Sequence, residues 1–187
     1  FIQIGTSELY GPVTEPASEL APLFPTSPYA VSKLAADMHL ETMFRVRKFP
    51  MNILRPSNAY GPGQLLYRIL PKAVYSVVNN LKVPLEGGGI AKKSYMHATD
   101  IARALWLMMH KAPLGEIYNV GPKDPVSIKE LVELVAISAN IDPNDFIEIV
   151  PGRIGEDSQY WLDSSKIMAL GYKESIDLKT GILDMLN

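Results

Sequence analysis

Ser27-Pro28-Tyr29-Ala30-Val31-Ser32-Lys33 opens a long helical run and sets a tyrosine and a lysine four residues apart. Positions i and i+4 share one helix face, so the phenol of Tyr29 and the ammonium of Lys33 fall side by side. Pro28 suits a first helical turn and Ser27 is a candidate cap, which puts the pair near a helix N-terminus and its positive end. A phenol titrates at about 10, so making it a base near neutral pH takes about 3 to 4 kcal/mol. One positive charge about 4 Å away, at an effective dielectric of about 20, supplies about 4 kcal/mol. The lysine is strong enough, but the same spacing also arises on ordinary helix surfaces, and the flanking sequence has to decide.

Upstream, Phe1 to Thr6 reads as a strand that runs into Thr6-Ser7-Glu8-Leu9-Tyr10-Gly11. Polar residues directly after a parallel strand fall at its carboxyl end, where open α/β sheets bind ligands. A loop with Pro12, Pro16, Pro22 and Pro25 leads to the Tyr29 helix, predicted to reach about Lys48 with Leu34, Ala35, Met38, Met43 and Phe44 along a partial apolar stripe. Downstream, Met51 to Leu54 is the next predicted strand, feeding a loop Ser57-Asn58-Ala59-Tyr60-Gly61-Pro62-Gly63. Further helices are predicted over Tyr67 to Asn80 (with Pro71 marking its start or a kink), Thr99 to His110 and Ser127 to about Ala139. Glu130 stands in capping-box position to Ser127. Val83 to Glu86, Ser94 to His97 and Ile117 to Val120 read as strands, and Gly87-Gly88-Gly89 as a turn that lacks the strand-to-helix context of a phosphate cradle. Beyond Asn140 come an apolar run from Phe146 to Val150, a loop from Pro151 to Asp157, and weak helices from Ser164 to Leu170 and Leu178 to Leu186. Strands alternating with helices give an α/β fold on a mostly parallel sheet.

Composition narrows the function classes. The 187 residues carry 18 basic and 20 acidic side chains, a formal charge of −2, so no polyanion partner is indicated and no nucleic acid is expected. The basic cluster Arg45-Val46-Arg47-Lys48 ends a helix, where cations suit the dipole. No cysteine is present, which removes disulfides, thiolate metal sites and cysteine nucleophiles together and fits a reducing cytoplasm. No uninterrupted apolar run is long enough to span a bilayer, so no membrane association is expected. His39, His97 and His110 stand far apart without ligand spacing, so no metal site is expected. Trp106, Met108 and Met109 are read as packing of a helix on the sheet.

Thr6, Glu8, Tyr29 and Lys33, together with Arg55-Pro56-Ser57-Asn58-Ala59-Tyr60-Gly61-Pro62, Tyr118-Asn119-Val120-Gly121 and Asp163-Ser164-Ser165-Lys166, resemble the extended short-chain dehydrogenase/reductase family. The resemblance spans almost the whole chain and is closest to the nucleotide-sugar 4,6-dehydratases. It implies the C-terminal half of a Rossmann-like parallel sheet (about residues 1–80 and 98–121) plus a small mixed α/β substrate-binding part (about 81–97 and 122–187). It also implies NAD or NADP as cofactor, a nucleotide-diphosphate sugar of GDP-mannose or dTDP-glucose type as substrate, and a homodimer built on the tyrosine helix, with Leu40, Met43 and Val46 as outward candidates. The glycine-rich cofactor loop of the family has no counterpart here. The opening Phe1-Ile2-Gln3-Ile4-Gly5 reads as a chain that starts near the middle of a longer parent.

By the same resemblance, Tyr29 takes the proton of the sugar 4-hydroxyl, Lys33 lowers its pKa and holds the nicotinamide ribose, and Pro56 borders the cofactor. Thr6 hydrogen-bonds the 4-oxygen, and Glu8 removes the C5 proton so that water leaves from C6. A 4-epimerase needs no such second base, so Glu8 separates the two readings; a surface loop carboxylate is the plain alternative for it. Ser7 stands where many dehydratases carry an aspartate. Thr6-Ser7-Glu8 is also similar to GDP-mannose dehydratases and UDP-glucuronate decarboxylases, although the loop after Arg55 lacks the Asn-His-Glu-Ser-Pro pattern of the former. Ser7, Asn58, Lys93 and Arg153 are the implied substrate contacts. Lys93 replaces the usual arginine and loses its bidentate fork, or is simply a solvated charge beside Lys92. A catalytically inert sugar-nucleotide-binding remnant is the reading from another class.

Overall fold

The computed structural model describes residues 1–152 and 159–186. β1 (Ile2–Ile4), β2 (Asn52–Pro56) and β7 (Ile117–Val120) form a parallel sheet in the order β1-β2-β7. Between them the chain crosses through α1 (Pro28–Arg47), then β3 (Asn58–Tyr60), α2 (Ile69–Val78), β4 (Val83–Glu86), β5 (Lys92–Lys93), β6 (Tyr95–His97) and α3 (Ala98–Lys111). After β7 come β8 (Val126–Ser127), α4 (Ile128–Ser138), α5 (Pro143–Phe146), β9 (Ile147–Val150), β10 (Gln159–Tyr160), α6 (Ser165–Ala169) and α7 (Leu178–Leu186). The protein is thus α/β, with a parallel Rossmann-like sheet and a second, mixed part in which β4 pairs with β9 and β5 lies between β10 and β8.

Two cores follow from these pairings. Leu54, Met96, Ala104, Met108, Tyr118, Val120 and Ile167 close the first, between the parallel sheet, α3 and α6. Leu70, Ala73, Val83, Leu85, Leu131, Val135, Phe146 and Ile182 close the second, where α2, α4 and α7 pack around β4. α2, although early in the chain, therefore packs with the second core, and α6, although late, packs with the first. Gly89, at φ +66°, could not carry a side chain, because a Cβ there would lie 2.9 Å from the Lys129 amide at the start of α4. The three glycines are thus a packing turn against α4.

Three local expectations need correction. Asn58–Tyr60 is a strand, not a loop: it pairs in parallel with β6, and the ring of Tyr60 is buried in the second core. Trp106 and Met109 are exposed (66% each), because α3 buries the face of Ile101, Ala104 and Met108 and those two positions fall on the other side. Trp106 stacks on His110 instead, with ring centroids 4.3 Å apart. On α1 only Ala30 and Asp37 are fully buried, and Ala35 and Met38 of the predicted stripe face outward. The helix meets the rest of the molecule through Ala30, Leu34, Asp37 and Phe44, and Val31, Ala35, Met38, Thr42 and Val46 lie along its exposed side. Among the outward candidates, Leu40 and Met43 are half-buried and Val46 is exposed.

Candidate active site

The turn that follows β1 is built by its own side chains. Thr6 is extended, and its hydroxyl accepts from the Glu8 amide (3.3 Å), so that Ser7–Tyr10 closes as one 3-10 turn. Ser27 caps α1 by accepting from the Ala30 amide (3.1 Å), with Pro28 in the first turn. That cap places Tyr29 in the first turn of the helix, half exposed. Lys33, one turn on, donates from Nζ to the Ile4 carbonyl at 2.6 Å, which pins it to the carboxyl end of β1.

These elements border a cleft of about 560 Å³, a volume typical of small-molecule sites. Thr6, Glu8, Tyr29, Pro56, Asn58 and Lys93 all line it. Ser7 does not: it is buried behind the turn. Lys33 is outside the lining and reaches the site only through Ile4. Arg153 lies outside the described residues. Ser57 and Asn58, which follow β2, also border the cleft, and Ser57 Oγ and Asn58 Nδ2 are buried without a protein partner. Lys93 Nζ sits over the Tyr160 ring, 5.6 Å from its centroid.

Sequence reasoning missed Ser57 as a lining residue, and also Gln64, Tyr67, Arg68 and Lys72. Arg68 and Lys72 sit one helical turn apart at the start of α2, and Arg68 lies 5.1 Å from the Tyr67 ring centroid. Their i, i+4 spacing was a visible signal of a shared face. Only the packing of α2 on α4 turns that face toward the cleft. The lining thus includes the Tyr29 phenol, the Thr6 hydroxyl and two carboxylates (Glu8 and Glu86) with three cations, Arg68, Lys72 and Lys93. Such a set can move protons at a polyhydroxylated carbon and neutralise a phosphate at the same time.

The side of the turn facing away from the cleft is buried and ionic. Asp37 (0% exposed) and Arg55 (2%) pair at 2.9 Å beneath it. Burial raises the Asp37 carboxyl despite the opposing pull of Arg55 and Lys33. Burial also opposes the Arg55 charge, but Tyr10 and Asp37 beside it outweigh that, and its pKa rises. No cluster of histidine and carboxylate side chains suited to a metal occurs among the described residues.

Residues 1–121 match the NAD dependent epimerase/dehydratase family. Human dTDP-D-glucose 4,6-dehydratase is 33% identical over 188 residues, covering 97% of this chain and 54% of the relative. A trifunctional UDP-glucose 4,6-dehydratase/UDP-4-keto-6-deoxy-D-glucose 3,5-epimerase/UDP-4-keto-L-rhamnose-reductase from Arabidopsis thaliana is 31% identical over 186 residues, covering 97% of this chain and 28% of the relative. Among solved structures, dTDP-glucose 4,6-dehydratase from Bacillus anthracis in complex with NAD superposes with a TM-score of 0.93 at 30% identity, covering 99% of this chain and 59% of that one. UDP-glucose 4-epimerase from Thermus thermophilus in complex with NAD gives 0.91 at 28% identity, covering 99% and 62%. The chain spans about half the length of the curated dTDP-glucose dehydratases it matches.

Proposed function

The chain belongs to the NAD dependent epimerase/dehydratase family, and from that premise we propose that the full-length protein is a nucleotide-sugar 4,6-dehydratase, a lyase using NAD. The observation that carries the reading is the presence of Glu8 in the same cleft as Thr6 and Tyr29, since dehydration needs a second base and 4-epimerisation does not. The names of the relatives favour a dTDP- or UDP-linked glucose over GDP-mannose.

The donor set fits the reacting end of a nicotinamide dinucleotide. Tyr29 lines the cleft, Lys33 is tied to Ile4 at the end of β1, and Pro56 ends β2 beside them. When bound there, NAD would supply a hydride acceptor for C4 of the sugar and a hydride donor for C6. Tyr29 takes the proton of the 4-hydroxyl, with Lys33 held one turn along the same helix by the Ile4 carbonyl. Thr6, already capping its own turn, donates its hydroxyl hydrogen to the 4-oxygen. Glu8 removes the C5 proton, made acidic by the adjacent C4 ketone, and passes it to the 6-hydroxyl, which leaves as water; when the hydride returns to C6, C5 takes a proton from solvent, matching the one that Tyr29 releases. Asn58 contacts the sugar nucleotide, and Lys93, Arg68 and Lys72 neutralise its diphosphate.

We place the cofactor side on about residues 1–80 and 98–121, with α2 lending Arg68 and Lys72 to the substrate side. The exposed stripe Val31, Ala35, Met38 and Val46 of α1 is the proposed homodimer contact, and the absence of cysteine fits the cytoplasm as the location. The T. thermophilus neighbour supports 4-epimerisation as a second reading.

Glu8→Gln in the full-length enzyme tests the choice. It keeps size and hydrogen bonding but removes the base, so reduced cofactor and 4-keto sugar should accumulate while 4-keto-6-deoxy product falls by about 10²- to 10⁴-fold. Product formed at the wild-type rate would exclude Glu8 as the base. Tyr29→Phe should instead stop the first transfer.

A further inference from the structure

Behind the cleft, and lining none of it, four buried side chains join end to end. Arg55 Nε donates to Asp37 Oδ2 (2.9 Å), Arg55 Nη1 donates to the Tyr10 hydroxyl (2.9 Å), and that hydroxyl donates to Asn119 Oδ1 (2.8 Å). Each comes from a different element: Asp37 from α1, Arg55 from β2, Tyr10 from the turn after β1, and Asn119 from β7. Asn119 and Arg55 are partners in the parallel register of β2 and β7. The stem of Arg55 runs so close under β1 that a Cβ on Gly5 would lie 3.0 Å from its Cγ.

The way the guanidinium spends its donors is informative. A fork-on-fork pair with Asp37 would satisfy both carboxylate oxygens, yet Asp37 Oδ1 is buried without a partner. Arg55 instead turns its Nη1 to the hydroxyl of Tyr10. The second bond ties the ion pair to the turn, so one guanidinium links α1 and β2 to Ser7–Tyr10. The turn held in this way carries Thr6 and Glu8, and the helix at the other end carries Tyr29 and Lys33, two turns and one turn before Asp37 on the same face.

We infer that Arg55, acting through Tyr10, is a positioning residue that sets Thr6 and Glu8 at their working distance from Tyr29, so that both steps occur on one sugar ring. The inference rests on the reading of the cleft as a dehydratase site. Misplacement by about 1 Å costs about 10²-fold in rate, so loss of the one hydroxyl, with its bonds to Arg55 and Asn119, is enough to be seen.

The test uses the full-length enzyme with NAD and dTDP-glucose. Tyr10→Phe keeps the ring and removes only the hydroxyl; Arg55→Lys keeps the charge and loses the two-way grip. Tyr10→Phe should lower kcat by about tenfold or more with KM and NAD affinity held within about twofold. Amide hydrogen exchange should quicken at residues 7–10 and stay unchanged in β2 and β7. A kcat within about twofold of wild type overturns the inference. So does a parallel loss of kcat, substrate affinity and cofactor affinity with faster exchange throughout, because the chain then only stabilises the fold. Should Arg55→Lys not fold, Tyr10→Phe decides alone. If the wild type converts no sugar nucleotide, the dehydratase reading fails by itself. Exchange in Tyr10→Phe then decides the positioning: quickening confined to the turn upholds it, and no change or a uniform change overturns it.

Discussion

Asp100 begins α3 fully buried, yet its carboxyl is held below the ordinary carboxylate value. Burial pushes it up, but the hydroxyl and amide of Ser175 and the amide of Ile176, all within 3.0 Å, outweigh burial. A depressed folded value means that ionised Asp100 adds stability above the ordinary value of about 4, and that this is lost as pH falls through the folded value. Asp37 runs the other way: its raised carboxyl removes stability as pH climbs from the ordinary value through the folded one. Urea denaturation of Asp100→Asn beside wild type should therefore show a gap at about pH 7 that narrows toward about pH 3, and a gap of constant size would contradict the linkage. Neither carboxyl was visible in the sequence, because both owe their state to partners 18 and 75 residues away. Thr6, Glu8 and Tyr29 were visible because each sits at the end or start of an element whose own residues mark it. Ser57 Oγ was hidden because its isolation depends on what the fold leaves next to it.

Two of the capped helices show how local chemistry places residues. Ser27 with Pro28 starts α1, and the reciprocal pair Ser127 and Glu130 starts α4. Both were legible, since a cap and its amide are neighbours in sequence. The strand β3 was not, because Asn58-Ala59-Tyr60 has no pattern of its own and exists through its pairing with β6. The outward side of α3 was misjudged for a related reason: apolar content placed Trp106 in a core that the helix phase denies it. Ser27→Ala should cost about 1 kcal/mol of stability and fray the turn that bears Tyr29. Thermal denaturation, with hydrogen exchange at residues 28–32, reads both effects. Wild-type stability and exchange would show that the cap plays no part in placing the tyrosine.

At the scale of the molecule, the cleft is bordered by the turn after β1 and the start of α1, which bring Thr6, Glu8 and Tyr29, while α2 and β5 bring the cations Arg68, Lys72 and Lys93. No helix among the described residues is long and apolar enough to cross a membrane. The apolar stripe on α1 has a different consequence: Met38→Glu in the full-length protein should shift sedimentation from dimer toward monomer, and a monomeric wild type would remove the dimer from the account. The proposed dehydratase function requires that one cleft of the full-length protein support oxidation at C4, elimination of water across C5 and C6, and reduction at C6. Full-length enzyme given NAD and dTDP-glucose carrying deuterium at C4 tests it most directly, with the product read by NMR. The account predicts a 4-keto-6-deoxy sugar with the deuterium at C6. Deuterium retained at C4 of a sugar inverted there, with the 6-hydroxyl intact, would contradict it and establish the epimerase.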